Sequence, residues 1–406
     1  MLRRVAHVAV LGLLLAPSAA AWTQLPGATG LVNIVQPATL RTAAGSELEV
    51  FTDTKSSLFL VRNGTLKTLL SGMSIVGKPA VVQQPNGALQ LYVSGQGGGL
   101  DGVGRLTSTD DGVTWTGPIA TKSKDLADVG AAAVRPDGTP LFTQSGTGFV
   151  NVYEGLNGES VTNIFTGCCG YAGSVAVDAA NIARVAFWSN ATAAPNRFVL
   201  QQLGGATRTF GTQTPSFSDR VPLFSSGKNT WLMWADGYPV AKSLIFQNLA
   251  SPAVKLDGNF TSGADPHMAI AAEPDGSVWA LWTRDGAVRA ERSRTHGATF
   301  GALVTTALPV GQSVAYQLEA LARPGSVEAF VNLGSTLVHT KILPGLTVRA
   351  TRKLATVLDD SFPVKGAHVG TKTTDAKGHV SIANIKAHTF LRVTAAGYTP
   401  TGFRVP

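Results

Sequence analysis

A loose unit recurs along this chain roughly every 42 to 52 residues: a strand of small residues, a turn of Pro-Asp-Gly type, and a strand ending in aromatic residues. Its clearest copy runs from Met268 through Glu273-Pro274-Asp275-Gly276 to Trp282. Others carry Arg135-Pro136-Asp137-Gly138, Gln84-Pro85-Asn86-Gly87, Ser226-Gly227-Lys228-Asn229, Arg323-Pro324-Gly325-Ser326 or Ala44-Gly45-Ser46, and one ends in Val185-Ala186-Phe187-Trp188. Pro fixes φ at one corner of such a turn and Gly accepts the left-handed one, so each is a hairpin. A third alternating segment follows each hairpin, as at 57–62, 149–153, 197–202 and 336–342. Units of this size bury their apolar faces only by stacking on one another.

Three or four short strands per unit make a β-propeller blade, with the small residues at the crowded axis and the aromatics in the wider space between sheets. Counting first strands between residues 37 and 343 gives about seven blades, with six as the alternative. Residues 22–35 precede the first inner strand and can add an outer strand to the last blade, closing the ring and removing its exposed edges. The expected fold is therefore all-β, with a propeller over 22–345 and a change of pattern from Leu346 onward. There Pro363-Val364-Lys365-Gly366-Ala367-His368-Val369, Thr373-Thr374-Asp375-Ala376-Lys377-Gly378-His379-Val380 and Leu391-Arg392-Val393-Thr394-Ala395-Ala396-Gly397-Tyr398 read as short strands with tight turns. This segment, 346–406, resembles the carboxypeptidase-regulatory-like, Ig-like β-sandwich modules, a resemblance that implies a spacer or adhesive unit.

Ser108-Thr109-Asp110-Asp111-Gly112-Val113-Thr114-Trp115 resembles the Asp-box, or BNR repeat, of sialidase-like propellers. The resemblance implies a structural turn between the third and fourth strands of a blade. In it Ser108 and Asp110 bond turn backbone groups, Gly112 supplies a positive φ, and Trp115 packs between sheets. A degraded copy stands at Ser293-Arg294-Thr295-His296-Gly297-Ala298-Thr299-Phe300, with Thr295 in the Asp position. The catalytic pattern of that family does not carry over. Its first inner strand opens with Arg-Ile-Pro-Ala, whose arginine clamps a substrate carboxylate. The aligned stretch here is Val35-Gln36-Pro37-Ala38, with Val35 in the arginine position. The family also implies a Tyr nucleophile assisted by a Glu; Tyr316 and Glu319 are close in sequence, but an odd separation places them on opposite strand faces.

The chain begins with Arg3 and Arg4, an apolar run over 8–16, and Ser18-Ala19-Ala20-Ala21 before Trp22, the pattern of a cleaved secretory signal over 1–21. The run is too short to span a bilayer, no cysteine marks a lipid-anchor site, and the end at Pro406 carries no sorting signal. A secreted, extracellular protein with no membrane insertion after cleavage is expected. The Ala/Gly-rich, lysine-poor composition points to a bacterial source. Sequons at Asn63, Asn190 and Asn259 would matter only in a eukaryotic secretory pathway. The formal net charge of +8 includes the two leader arginines, and with no Lys/Arg run the excess reads as diffuse, which argues against nucleic acid.

A propeller binds ligands where the loops leading into its inner strands surround the channel. Asp128, Asp219 with Arg220, Asp265 with His267, and Tyr171 fall there by alignment. Two of the carboxylates Asp128, Asp219 and Asp265 facing each other could serve as acid and base in glycoside hydrolysis; as strand caps they would do no chemistry. No metal motif and no cofactor motif is present. Cys168 and Cys169, the only cysteines, lie in Gly167-Cys168-Cys169-Gly170-Tyr171. Adjacent α-carbons sit closer than disulfide geometry usually needs, so a bond between them would be a strained eight-membered ring, which the flanking glycines make easier to form. In the same loop by alignment, it would be a rigid plate for a sugar ring.

These features point to a secreted binding protein whose channel mouth takes an extracellular carbohydrate or cell-surface polymer, with Cys168, Cys169, Tyr171, Arg220 and His267 as ligand-contact candidates. A sialidase-like glycoside hydrolase and a protein-interaction scaffold are the alternatives.

Overall fold

A computed structural model describes residues 21–29, 36–53, 57–146, 148–167, 170–190, 197–211, 219–238, 240–258, 260 and 266–406. Among them the chain is all strand and turn, without helix. Between Thr23 and Ile342 these strands form seven antiparallel sheets. The first is typical: Ala38–Arg41, Glu47–Asp53, Ser57–Arg62 and Thr65–Leu70 pair in chain order. In the second, Gly77-Lys78-Pro79 interrupts the innermost strand, and its two pieces, Met73–Val76 and Ala80–Gln83, both pair with Leu89–Gly97. The seventh joins Gln317–Arg323, Ser326–Asn332 and Thr336–Ile342 to the N-terminal strand Thr23–Thr29, with Thr23 opposite His339 and Gln24 opposite Val338. The N-terminal segment thus supplies the outermost strand of the last sheet.

The innermost strands of successive sheets lie side by side, and that of the seventh lies against that of the first. A closed ring of meandering sheets is the topology of a β-propeller. Small residues such as Ala80, Ala131, Ala176, Ala269 and Ala320 line the central channel, a cavity of about 480 Å³, because innermost strands converge too closely for large side chains. The aromatic ends of the second strands fill the space between sheets. Trp231, Trp279, Trp282, Tyr92, Phe51, Phe142 and Phe330 are fully buried there, and burying each of the Phe side chains is worth about 1.5–3 kcal/mol. The turns carry the chemistry expected of them: Asp137 Oδ1 accepts the Thr139 amide at 2.9 Å and Asp275 Oδ1 that of Ser277 at 2.8 Å.

The turn at 108–115 joins Leu100–Ser108 to Thr116–Ala120, the third and fourth strands of the second sheet. Ser108 Oγ accepts the Gly112 amide at 2.9 Å and Asp110 Oδ1 the Thr114 amide at 2.9 Å, while Thr114 Oγ1 donates to Asp110 Oδ2 at 2.6 Å. Gly112 has φ of 84°, and Trp115 Nε1 donates to its carbonyl at 3.0 Å. The turn at 293–300 keeps three of these four contacts: the Gly297 amide donates to Ser293 Oγ at 2.8 Å and the Thr299 amide to Thr295 Oγ1 at 2.9 Å, and the Thr295 and Thr299 hydroxyls lie 2.8 Å apart.

Past Leu343 the chain forms two more small sheets. One contains Thr347–Ala350, Leu354–Asp359, Phe362–Pro363 and His379–Ser381; the other Lys372–Thr373, His368–Val369, Phe390–Thr394 and Thr401–Arg404. Val357, Ile382, Val393 and Phe403 share one core between them. These sheets are fastened to the sixth sheet of the ring rather than held apart as a spacer would be. Arg292 Nη1 donates to Asp359 Oδ2 at 2.9 Å, Tyr398 Oη donates to the same oxygen at 3.1 Å, and the Arg294 guanidinium lies 4.2 Å over the Phe362 ring.

Candidate functional site at the channel mouth

One end of the channel is ringed by the residues that lead into the innermost strands, and there the sequence places Gln36, Lys78, Asp128, Asp219, Arg220 and His267, with Glu319 just inside. Arg220 sits at the centre and is buried. Its Nη1 donates to Pro37 O at 2.5 Å and to Glu319 Oε2 at 3.3 Å, its Nε to Gly130 O, and its Nη2 to Pro79 O. Its backbone amide donates to Gln36 Oε1 at 2.7 Å. One guanidinium of the fifth sheet therefore ties the leading segments of the first, second and third sheets to the seventh.

The approach depends on Gly130. A side chain there would collide with the carbonyl of Gly173, 1.6 Å from where its Cβ would stand. The chain bulges at this point, between Val129 and Ala132, which exposes the Gly130 carbonyl to Arg220. Burial lowers the Arg220 pKa, with Glu319 and then Asp128 opposing it. Burial likewise raises that of Glu319, against the pull of Arg220. The pair is a buried ionic plug, and its donors are already engaged within the protein.

Around the plug, Lys78 is buried and lies 3.7 Å from Asp128. Burial lowers its pKa, while Asp128 and then Asp219 raise it. Asp128 Oδ1 also accepts the Lys78 amide at 3.1 Å, and its side chain remains 43% exposed. Asp219 is buried and meets His267 Nδ1 through Oδ2 at 2.5 Å. Its Oδ1 is buried without a hydrogen-bond partner. Tyr171 lies partly buried, its ring 5.8 Å from that of the buried Trp188.

Asp128 and Tyr171 fall at the start of innermost strands, and Asp219, Arg220 and His267 just before them. The structure corrects the role read for Arg220, whose guanidinium is a plug rather than a ligand contact. Asp265, Cys168, Cys169 and Val35 lie outside the described residues. Tyr316 is exposed and Glu319 faces the channel, so the two do not form a nucleophile and its partner. Lys78 and Gln36 also belong to this end, and each stands directly before a proline, Pro79 or Pro37, as Asp265 stands before Pro266 in the sequence.

Fold and site together define a β-propeller with an ionic plug at one channel mouth. No family model matches the chain, and no curated protein matches it. Among solved structures it is similar to virginiamycin B lyase from Staphylococcus aureus, at 11% identity, a TM-score of 0.49, and coverage of 80% of this chain and 98% of that one. A second is YCF48 bound to D1 peptide, at 14% identity, a TM-score of 0.49 and coverage of 82% and 97%. A third is the GH93 α-L-arabinofuranosidase of Fusarium graminearum, at 12% identity, a TM-score of 0.45 and coverage of 80% and 98%.

Proposed function

We propose that the chain is an exported, seven-bladed propeller of the Asp-box type with a C-terminal β-sandwich, and that its plugged channel mouth binds carbohydrate or a cell-surface polymer without turning it over. The observation that carries this reading is the state of the charged groups. Arg220 and Lys78, the mouth cations among the described residues, are buried and engaged with carbonyls and carboxylates, so neither is placed to clamp an acidic sugar. Asp219 is buried against His267, and Glu319 against Arg220. Among the described residues Asp128 is the one mouth carboxylate with substantial exposure, whereas a glycoside hydrolase of the usual kind needs two reaching the substrate. Asp128 offers an exposed acceptor, with the His267 imidazole and the partly buried Tyr171 ring at the starts of innermost strands, a set that suits the hydroxyls and apolar face of a neutral sugar.

Cys168 and Cys169 belong to this proposal as a disulfide plate beside Tyr171. Mass spectrometry after alkylation without reductant tests it, and full labelling of both thiols rules the bond out. For the mouth, a glycan array is paired with a panel of fluorogenic glycosides. Saturable array binding that weakens in Asp128→Ala and Tyr171→Ala, with no turnover, supports the reading. Turnover that disappears in Asp128→Asn replaces it with the hydrolase, and co-purifying proteins with no glycan signal replace it with a scaffold.

A further inference from the structure

The positive charge of this protein is not diffuse. The chain holds 33 Lys and Arg against 25 Asp and Glu. Two of the bases, Arg3 and Arg4, belong to the leader. Nine bases, from Arg349 to Arg404, and three acids, Asp359, Asp360 and Asp375, lie past residue 345. Residues 22–345 therefore carry 22 of each sign and are neutral, and the last 61 residues carry the whole excess of +6.

Docking sharpens this imbalance. Asp359 and Asp360 are turned into the sixth sheet and buried, where Asp359 meets Arg292 and Arg294. Two of the three acids are thus removed from the outer surface, leaving Asp375. All nine bases are exposed, and no salt bridge engages any of them among the described residues. The ring is mixed: Arg62, Arg135, Arg184, Arg220, Arg284 and Arg323 are each paired with a carboxylate, while Lys67, Lys122, Lys124 and Lys228 are exposed on a body whose charges sum to zero. The cations also share surfaces. In the second small sheet Leu391, Val393 and Phe403 are buried, so Arg392 and Arg404 stand on its solvent side, with His368 on the neighbouring strand.

We propose that the C-terminal sheets are a docking surface for a polyanion, and specifically for an anionic polysaccharide of the cell surface. Unpaired, exposed cations at this density set up a local field that attracts a polymer of opposite sign, and salt weakens that attraction by screening. The choice of polysaccharide over nucleic acid rests on the export of the chain proposed above. The one exposed aromatic ring there, Phe362, has the Arg294 guanidinium 4.2 Å over one face, and Tyr398 is bonded to Asp359. The polyanion surface is separate from the channel mouth.

The test uses mature full-length protein on immobilised polygalacturonate, with neutral dextran and double-stranded DNA as parallel columns. The expected result is retention on polygalacturonate that falls steeply as salt rises and none on dextran. The variant Lys365→Gln/Lys372→Gln/Lys377→Gln/Arg392→Gln should elute at markedly lower salt, with retained affinity reduced on the order of tenfold or more. These side chains are exposed, and an unchanged thermal midpoint confirms that the variant is folded. Removal of four ring cations, Lys67→Gln/Lys122→Gln/Lys124→Gln/Lys228→Gln, should leave retention as it is. Equal loss in both variants, or none in the first, overturns the assignment to this surface, and tighter retention on DNA overturns the choice of polysaccharide. Asp128→Ala should not move the polygalacturonate elution, so failure of the mouth reading and failure of this one remain distinguishable.

Discussion

Asp360 Oδ1 accepts the Thr299 hydroxyl at 2.6 Å, the length at which Asp110 Oδ2 accepts the Thr114 hydroxyl in the complete turn of the second sheet. Asp360 Oδ2 also takes the Arg294 amide at 3.1 Å and lies 3.3 Å from Thr295 Oγ1. The carboxylate missing at Thr295 is thus supplied from the C-terminal sheets, and the degraded turn is the socket in which those sheets sit.

Asp360→Ala removes these bonds to a charged acceptor, so it should cost about 1.5–3 kcal/mol. Urea unfolding of the full chain measures the loss, and limited proteolysis near residues 343–346 should speed up as the socket opens. Thr295→Asp in the Asp360→Ala background should restore the turn's stability but not the protease resistance. In the wild-type background the same change sets two carboxylates together and should destabilise. An additive double mutant would show that the two positions are not exchanging one role.

The ring was legible in the sequence because its signals are local and repeated. Pro-Asp-Gly turns, small first strands and aromatic second strands each reflect a constraint within one unit. The socket was not legible, since Asp360 and Thr299 are joined by docking and no local pattern announces it. The plug was half legible. Asp219, Arg220 and Asp128 could be placed at the mouth from the repeat, but Arg220's partners are backbone carbonyls of Pro37, Pro79 and Gly130, which have no side-chain signature. Charge was misread for a simpler reason: the nine C-terminal bases are spaced between turns and strands and form no run.

Arg220 sets the stability of the mouth. Arg220→Met leaves the Pro37, Pro79 and Gly130 carbonyls unpaired and the Glu319 carboxylate buried without its counter-ion, at a cost of about 3–5 kcal/mol. Arg220→Lys should recover little, because a single ammonium cannot span the carbonyls that the planar fork reaches. The double variant Arg220→Met/Glu319→Gln should regain part of the loss by removing the unpaired charge. Denaturant midpoints of the three variants check this, and strict additivity would exclude coupling across the plug.

Glu49 gives the first-to-seventh sheet seam a pH dependence. Glu47, Arg323 and Glu328 surround it, with Arg323 bonded to Glu47 at 2.6 Å and to Glu328 at 2.9 Å. Burial pushes the Glu49 carboxyl from 4.5 to about 8, with Glu47 adding to the rise and Arg323 opposing it. Between those values the unfolded chain has released the proton and the folded chain still holds it, so stability falls as pH rises from 4.5 to about 8 and levels off above. Glu49→Gln keeps the neutral shape and removes this term. The variant should match wild type near pH 5 and exceed it at pH 8 by an amount on the order of a few kcal/mol. Glu291, pushed to about 7 by burial and then by Asp257, leaves a residual slope in both proteins. Parallel curves for the two would mean that Glu49 ionises equally in the folded and unfolded chain.

The same seam is closed by the N-terminal strand. Leu25 and Ala28 are buried there with Phe51, Val61, Phe330 and Leu337, residues of the first and seventh sheets. Trp22 Nε1 donates to Ala307 O at 2.6 Å from just outside the strand. Leu25→Ala should therefore cost about 2–5 kcal/mol, the range of a buried leucine whose cavity does not collapse. Deleting residues 22–29 does more, because it uncovers the backbone of Thr336–Ile342 as an unpaired edge. That chain should associate on concentration, seen as rising light scattering at a protein level where Leu25→Ala stays monodisperse. If both variants scatter alike, the lost apolar contact and not the open edge is what drives association.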